Sequence, residues 1–189
     1  MNFQEYSSYF KNILLKSASE HELPYDNPAY LDYTRLNWSR MNRWFKKGKL
    51  SDEIVEIVKK IDQPQHWIII TEPWCGDAAH NIPFLEMVAR ENSQISVSYE
   101  LRDAPPYRIE EYLTNGTKSI PKLIIRNQKG RDLGTWGPRP ANCQKMYAAL
   151  LKENASFEII KTELQTWYNS NKGKELQEEL EDVLSGTLQ

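Results

Sequence analysis

The chain has 189 residues, 40% of them apolar, including ten tyrosines and six tryptophans, which is enough to bury one substantial core and short for two. Its formal charge of −2 excludes a field that would draw nucleic acid or membrane to the molecule as a whole. No stretch approaches the roughly 20 consecutive apolar residues of a membrane-crossing helix.

The first residues, Met1-Asn2-Phe3-Gln4-Glu5, carry no basic segment followed by an apolar run, so a cytoplasmic address is expected. Residues 1–62 read as a helical N-terminal extension. Phe3, Tyr6 and Phe10 recur at helical spacing, as do Leu31, Trp38, Met41 and Phe45, and then Ile54, Val55, Val58 and Ile61. Ser51 is placed to cap the last of these helices, with Asp52 and Glu53 suited to its dipole. Between Arg35 and Lys49, six cations alternate with Trp38, Trp44 and Phe45. Such a pattern can bind single-stranded nucleic acid, but the aromatics fall on one helical face, so a buried face backed by a solvated basic one is expected.

Residues 63–152 change character. His66 to Thr71 is an apolar strand that runs into Trp74-Cys75-Gly76-Asp77-Ala78, where a lone cysteine opens a helix. Unpaired N–H groups and the positive end of the helix dipole favour a thiolate there. Ile95 to Tyr99 alternates as a second strand, a short helix is expected near Glu110 to Leu113, and Leu123 to Ile125 with Leu133 to Trp136 reads as a hairpin around Asn127-Gln128-Lys129-Gly130. Residues 153–189 predict two helices, Phe157 to Asn169 and Lys174 to Leu184, the second with an apolar stripe. The whole chain is expected to form a single domain, the extensions packing on the central segment.

In this order the segments resemble the thioredoxin family. Cys75 at the helix start, Pro83 eight residues on, and Ser119-Ile120-Pro121-Lys122 before the hairpin match its nucleophile, its helix-kinking proline and its cis-proline loop. A narrower resemblance joins Leu36-Asn37 with Arg40-Met41, Trp74 to Ala79, Leu113 to Gly116, and Leu133 to Pro140. These are similar to a bacterial, Bacteroidetes-type thioredoxin-like family with a single-cysteine motif. The implied fold class is α/β, a thioredoxin-like three-layer sandwich with a mixed central sheet and helical extensions at both ends.

The resemblance also defines what is missing. Where thioredoxins carry a second, resolving cysteine this chain has Ala78, and Ile69 stands where a buried carboxylate commonly assists it. Cys75 can still attack a disulfide but needs an external thiol to finish the cycle. The expected activity is therefore monothiol thiol–disulfide exchange, with a protein disulfide or a low-molecular-weight thiol as partner. The alternative is a redox-inactive module that binds a protein or peptide.

Trp74, Gly76, Ile120 and Pro121 are expected to line an apolar groove, since a cis bond before Pro121 turns the loop to face Cys75. Asp77 reads as a helix cap, with a hydrogen-bonding or base role beside the thiol as the other reading. Its charge opposes the dipole, so the thiol pKa is expected below the free value of about 8.5 without reaching an extreme. His80 is expected as a surface or partly buried histidine, with a catalytic base as the other reading. Cys143 is either a small core residue or, brought to the active edge by its helix, a resolver. The scattered His21, His66 and His80 and the distant cysteines give no metal-ligand spacing, and neither metal nor cofactor is expected.

Overall fold

A computed structural model describes residues 1–188. Three helices open the chain: α1 (Phe3–Leu15), α2 (Pro28–Lys47) and α3 (Asp52–Lys59). Each start is fixed by local chemistry. Asn2 and Glu5 form a capping box on α1, Asn27 caps α2 with Pro28 at its first position, and Ser51 accepts from the Ile54 N–H of α3. Then follow β1 (Gln65–Thr71), α4 (Gly76–Arg90), β2 (Ile95–Leu101), β3 (Lys122–Asn127), β4 (Asp132–Trp136), α5 (Ala141–Lys152), α6 (Phe157–Asn171) and α7 (Lys174–Thr187). The short helix expected near Glu110 is a 3₁₀ turn over Arg108–Glu111.

The sheet order is β2-β1-β3-β4. β1 runs parallel to β2, with Ile69 opposite Tyr99, and antiparallel to β3, with Ile69 opposite Leu123; β3 and β4 form the antiparallel hairpin. Neighbouring residues on a strand point to opposite faces, yet Trp67, Ile68, Ile69 and Ile70 are all buried, as are Leu123, Ile124 and Ile125. Both faces of the sheet are therefore covered. This is the thioredoxin-like α/β architecture with helical extensions.

The extensions share the core. Tyr6, Phe10, Met41 and Trp44 from the N-terminal helices and Leu176, Leu180 and Leu184 from α7 belong to the same buried cluster as the strands. α2 packs against α4, and α7 against α3 and β4. On α2 the buried stripe is Leu31, Thr34, Asn37, Met41 and Trp44, with Trp38 and Phe45 half-buried at its edge. Lys46, Lys47 and Lys49 are exposed, whereas Arg40 and Arg43 are half-buried. Within the hairpin approach, the Ile120–Pro121 bond is cis, and Gly137 comes so close to it that a Cβ would overlap the carbonyl oxygen of Pro121. Lys122 holds the same corner, its Nζ donating to Thr114 Oγ1 and to the Gly137 carbonyl. Among the described residues, no helix is long and apolar enough to cross a membrane.

Candidate active site

β1 ends at Thr71, the chain turns through Glu72-Pro73-Trp74, and Cys75 caps α4. Its N–H donates to the Glu72 carbonyl over 3.0 Å, and its sulfur takes the cap position itself, accepting from the Ala78 N–H at 3.4 Å. The thiol proton points the other way, to the Ile120 carbonyl of the cis-proline loop at 3.3 Å. Cys75 is only 7% exposed. Burial pushes its thiol up to about 12, and the neighbouring Asp77 charge adds to that, against the Ala78 N–H and Arg139. The expected lowered pKa is thus overturned: the helix terminus acts as anticipated, but desolvation outweighs it.

Asp77 does not cap the helix. One carboxylate oxygen accepts from the Tyr168 hydroxyl at 2.8 Å and the other pairs with Arg139 at 2.7 Å. Burial pushes its carboxyl above the usual value, with Arg139 pulling against it. Arg139 in turn donates to Gln144 and stacks over the Tyr147 ring at 4.0 Å. The Asp77 carboxylate therefore acts on Cys75 through its field, which raises the thiol, while the Asp77 backbone N–H lowers it.

His80 is only 3% exposed, which corrects its expected surface or partly buried position. Its Nδ1 accepts from Trp44 Nε1 at 2.8 Å, so the ring proton sits on Nε2, facing Gln165 Oε1 at 3.2 Å. The ring lies flat against Tyr168, 4.3 Å between centroids. Burial, with Arg40 nearby, pushes it down to about 3. With its lone pair occupied, His80 is a neutral structural ring and not a proton acceptor for Cys75.

α2 closes the other side. Asn37 is fully buried and donates to the Pro73 carbonyl at 3.2 Å. Its side-chain oxygen accepts from Arg40 at 2.9 Å, and the Arg40 guanidinium lies over Tyr33, 5.1 Å from the ring centre. The Tyr33 hydroxyl meets Gly76 so closely that a Cβ there would collide with it. Trp74 is half-buried under Arg102, 4.5 Å from its ring, and beside Tyr30.

Together these side chains wall a cleft of about 840 Å³. Of the six residues expected at the site, Trp74, Cys75, Gly76, Asp77 and Ile120 line it; Pro121 is buried and does not, which corrects its place in the groove wall. The expectation did not include Tyr33, Arg40, Arg139 or Tyr168, which also line it. Arg40 and Arg139 lie inside the motifs Arg40-Met41 and Gly137-Pro138-Arg139-Pro140, so the signal was present. Cys143 is wholly buried and free, its thiol likewise pushed up to about 12 by burial, and it does not line the cleft. A carboxylate does lie buried near the cysteine, at Glu72 and not at position 69; it accepts from the Asp103 N–H and, by burial, is pushed up to about 7, but it does not line the cleft. Among the described residues, no three or more metal-ligating side chains cluster.

Comparison with known proteins follows the same outline. A solved structure of a protein of unknown function from Pseudomonas aeruginosa is similar at a TM-score of 0.50, with 16% identity over 91% of this chain and 87% of that one. An HIV epitope scaffold aligns over 100% of this chain and 96% of its own at 14% identity and a TM-score of 0.48. No curated protein matches. The family model described as thioredoxin matches residues 24–155, a span that takes in every residue of the cleft except those supplied by α6. By that match over more than half its length, the chain belongs to the thioredoxin family.

Proposed function

We propose that the protein is a monothiol thiol–disulfide exchange protein of the cytoplasm, from the Bacteroidetes-type single-cysteine branch of the family. One observation carries this reading: of the two cysteines, Cys75 alone caps the helix start, faces the cis-proline loop and lines the cleft. In the first step the Cys75 sulfur attacks one sulfur of a disulfide. The new sulfur–sulfur bond forms as the old one breaks, and the leaving sulfur takes the electron pair and then the proton from Cys75. A second, external thiol attacks the substrate sulfur of the mixed disulfide, Cys75 leaves with the electron pair and takes up the proton of that thiol, and the external sulfur departs joined to the substrate sulfur as a new disulfide. Neither Ala78 nor the buried Cys143 takes part.

The closed, neutral thiol favours a second reading, in which the cleft binds without exchange. Intact mass spectrometry separates the two. The protein is held at mildly alkaline pH with excess of a small disulfide, beside a Cys75→Ser control. Exchange predicts one adduct, mapped to Cys75, absent from the control and removed by a small thiol. A folded protein that stays unmodified over hours removes the exchange reading and leaves the second.

A further inference from the structure

The cleft carries a charge that the whole chain does not. Five cations line it, Arg40, Arg102, Lys118, Arg139 and Lys161, against two carboxylates, Asp77 and Glu158, in a chain with a formal charge of −2. Four of the five are already answered: Arg102 by Asp103 at 2.6 Å, Lys118 by Glu110 at 2.7 Å, Arg139 by Asp77 at 2.7 Å and Lys161 by Glu158 at 2.9 Å. Arg40 has no carboxylate partner among the described residues. Its Nη1 donates to the neutral Asn37, and its Nε is buried without an acceptor.

A half-buried guanidinium without a counter-charge is costly to keep, and Arg40 lines an open cleft from which an anion can supply one. Arg40 is also braced. Asn37, which orients it, is tied to the Pro73 carbonyl, two residues before Cys75, and Tyr33, beneath it, touches Gly76. The cation is thus fixed relative to the sulfur. A volume of about 840 Å³ lies within the roughly 300–1,000 Å³ of small-molecule sites, and Tyr30, Trp74, Tyr147 and Phe157 supply aromatic walls. A thiol as enclosed as Cys75 is reached by a small molecule more readily than by a folded protein's disulfide.

We infer that Arg40 anchors the carboxylate of a low-molecular-weight ligand in this cleft, a small thiol or its disulfide whose sulfur is delivered to Cys75. Only the sulfur half rests on the exchange reading above. A planar guanidinium matches a carboxylate with two parallel N–H bonds, and the ligand's charge supplies what the protein leaves out.

The test has two arms on the full chain. In the first, the Cys75→Ser protein is titrated by NMR with 4-(methylthio)benzoate and with the corresponding neutral amide. The carboxylate is expected to bind at least tenfold more tightly. That preference disappears in Arg40→Gln and is partly retained in Arg40→Lys, which also controls for folding. Equal affinity for the two probes, or a preference unchanged by Arg40→Gln, overturns the anchor. In the second arm, native Cys75 reacts with a nitrobenzoate disulfide, an anion, and with the neutral dipyridyl disulfide, each rate divided by that of a free small thiol. Arg40→Gln is expected to slow the first about tenfold and to leave the second unchanged. Exchange that ignores Arg40 overturns the anchor and leaves the exchange reading standing. Carboxylate preference without any exchange supports the anchor and removes the exchange reading.

Discussion

The hydroxyl of Tyr168 donates to Oδ1 of Asp77 over 2.8 Å, joining α6 to the first turn of the helix that Cys75 caps. Arg139, from the segment between β4 and α5, takes the other oxygen at 2.7 Å. Three parts of the chain that are distant in sequence thus meet on one carboxylate. The arrangement ties the C-terminal extension to the site and keeps a negative charge beside the thiol.

Removing one member of that ion pair leaves the other buried without compensation. Both side chains are well enclosed, 8% exposed for Asp77 and 13% for Arg139, so Arg139→Gln is expected to cost ~3 kcal/mol or more. Adding Asp77→Asn to it should recover part of the loss, because no uncompensated charge remains. Urea unfolding of the two single variants and the double variant measures the coupling. Strictly additive losses would contradict the pair.

The enclosed thiol makes a kinetic prediction. With Cys75 pushed up to about 12, its thiolate fraction at neutral pH falls roughly a thousandfold or more below that of a free thiol near pKa 8.5. Iodoacetamide should therefore label Cys75 at least about a hundredfold more slowly than a peptide cysteine, with a rate that climbs about tenfold per pH unit. Asp77→Asn, checked for a native circular dichroism spectrum, removes a charge that opposes the thiolate and should speed labelling. Labelling of the native protein at the rate of a free peptide thiol would show that the thiol is not enclosed in solution.

Glu72 and His80 set opposing pH dependences. Burial raises Glu72 from the usual 4.5 to about 7, so the folded state holds its proton more tightly than the unfolded chain does. Stability is full below pH 4.5 and falls as pH climbs to about 7, by roughly 3 kcal/mol. Glu72→Gln, which keeps an acceptor for the Asp103 N–H, is expected to match the native protein at pH 4 and to exceed it by ~3 kcal/mol at pH 8. His80 runs the other way: lowered from 6.5 to about 3, it contributes stability that is complete above pH 6.5 and lost as pH falls toward 3. Chemical denaturation across that range checks both. A variant gain that is the same at both pH values would refute the account of Glu72.

Cys143 is expected to remain a thiol. Mild oxidation of the monomer should give no internal bridge, read as an unchanged intact mass and two free thiols by denatured titration. Replacing it with alanine should cost ~1 kcal/mol through the small cavity left beside Tyr168, without changing adduct formation at Cys75. An internal disulfide between the two cysteines would restore the resolver reading.

Much of the scaffold was legible because its signals are local. The apolar run at Trp67 to Ile70, the turn at Asn127 to Gly130 and the proline after Ile120 each encode their own geometry. So does the helix start at Cys75. The site was legible only along the chain near that cysteine. Asp77 reads as a cap from its position, because caps are local, whereas its partners Arg139 and Tyr168 are brought to it by the docking of later segments. The thiol was misjudged for the same reason: a helix terminus can be read from sequence, but the enclosure formed by the cis-proline loop and the flanking helices cannot. His80 followed suit, since only the approach of Trp44 from α2 and Tyr168 from α6 buries it.

The route by which the cleft is completed has a consequence for the nascent chain. Ninety-one positions separate Asp77 from Tyr168, so during vectorial synthesis Cys75 leaves the ribosome well before the helix that closes over its neighbour. Through that interval the sulfur lacks the enclosure that quiets it in the finished molecule. The newly made chain passes through a period of thiol reactivity that the docking of its cis-proline loop and then of α6 brings to an end.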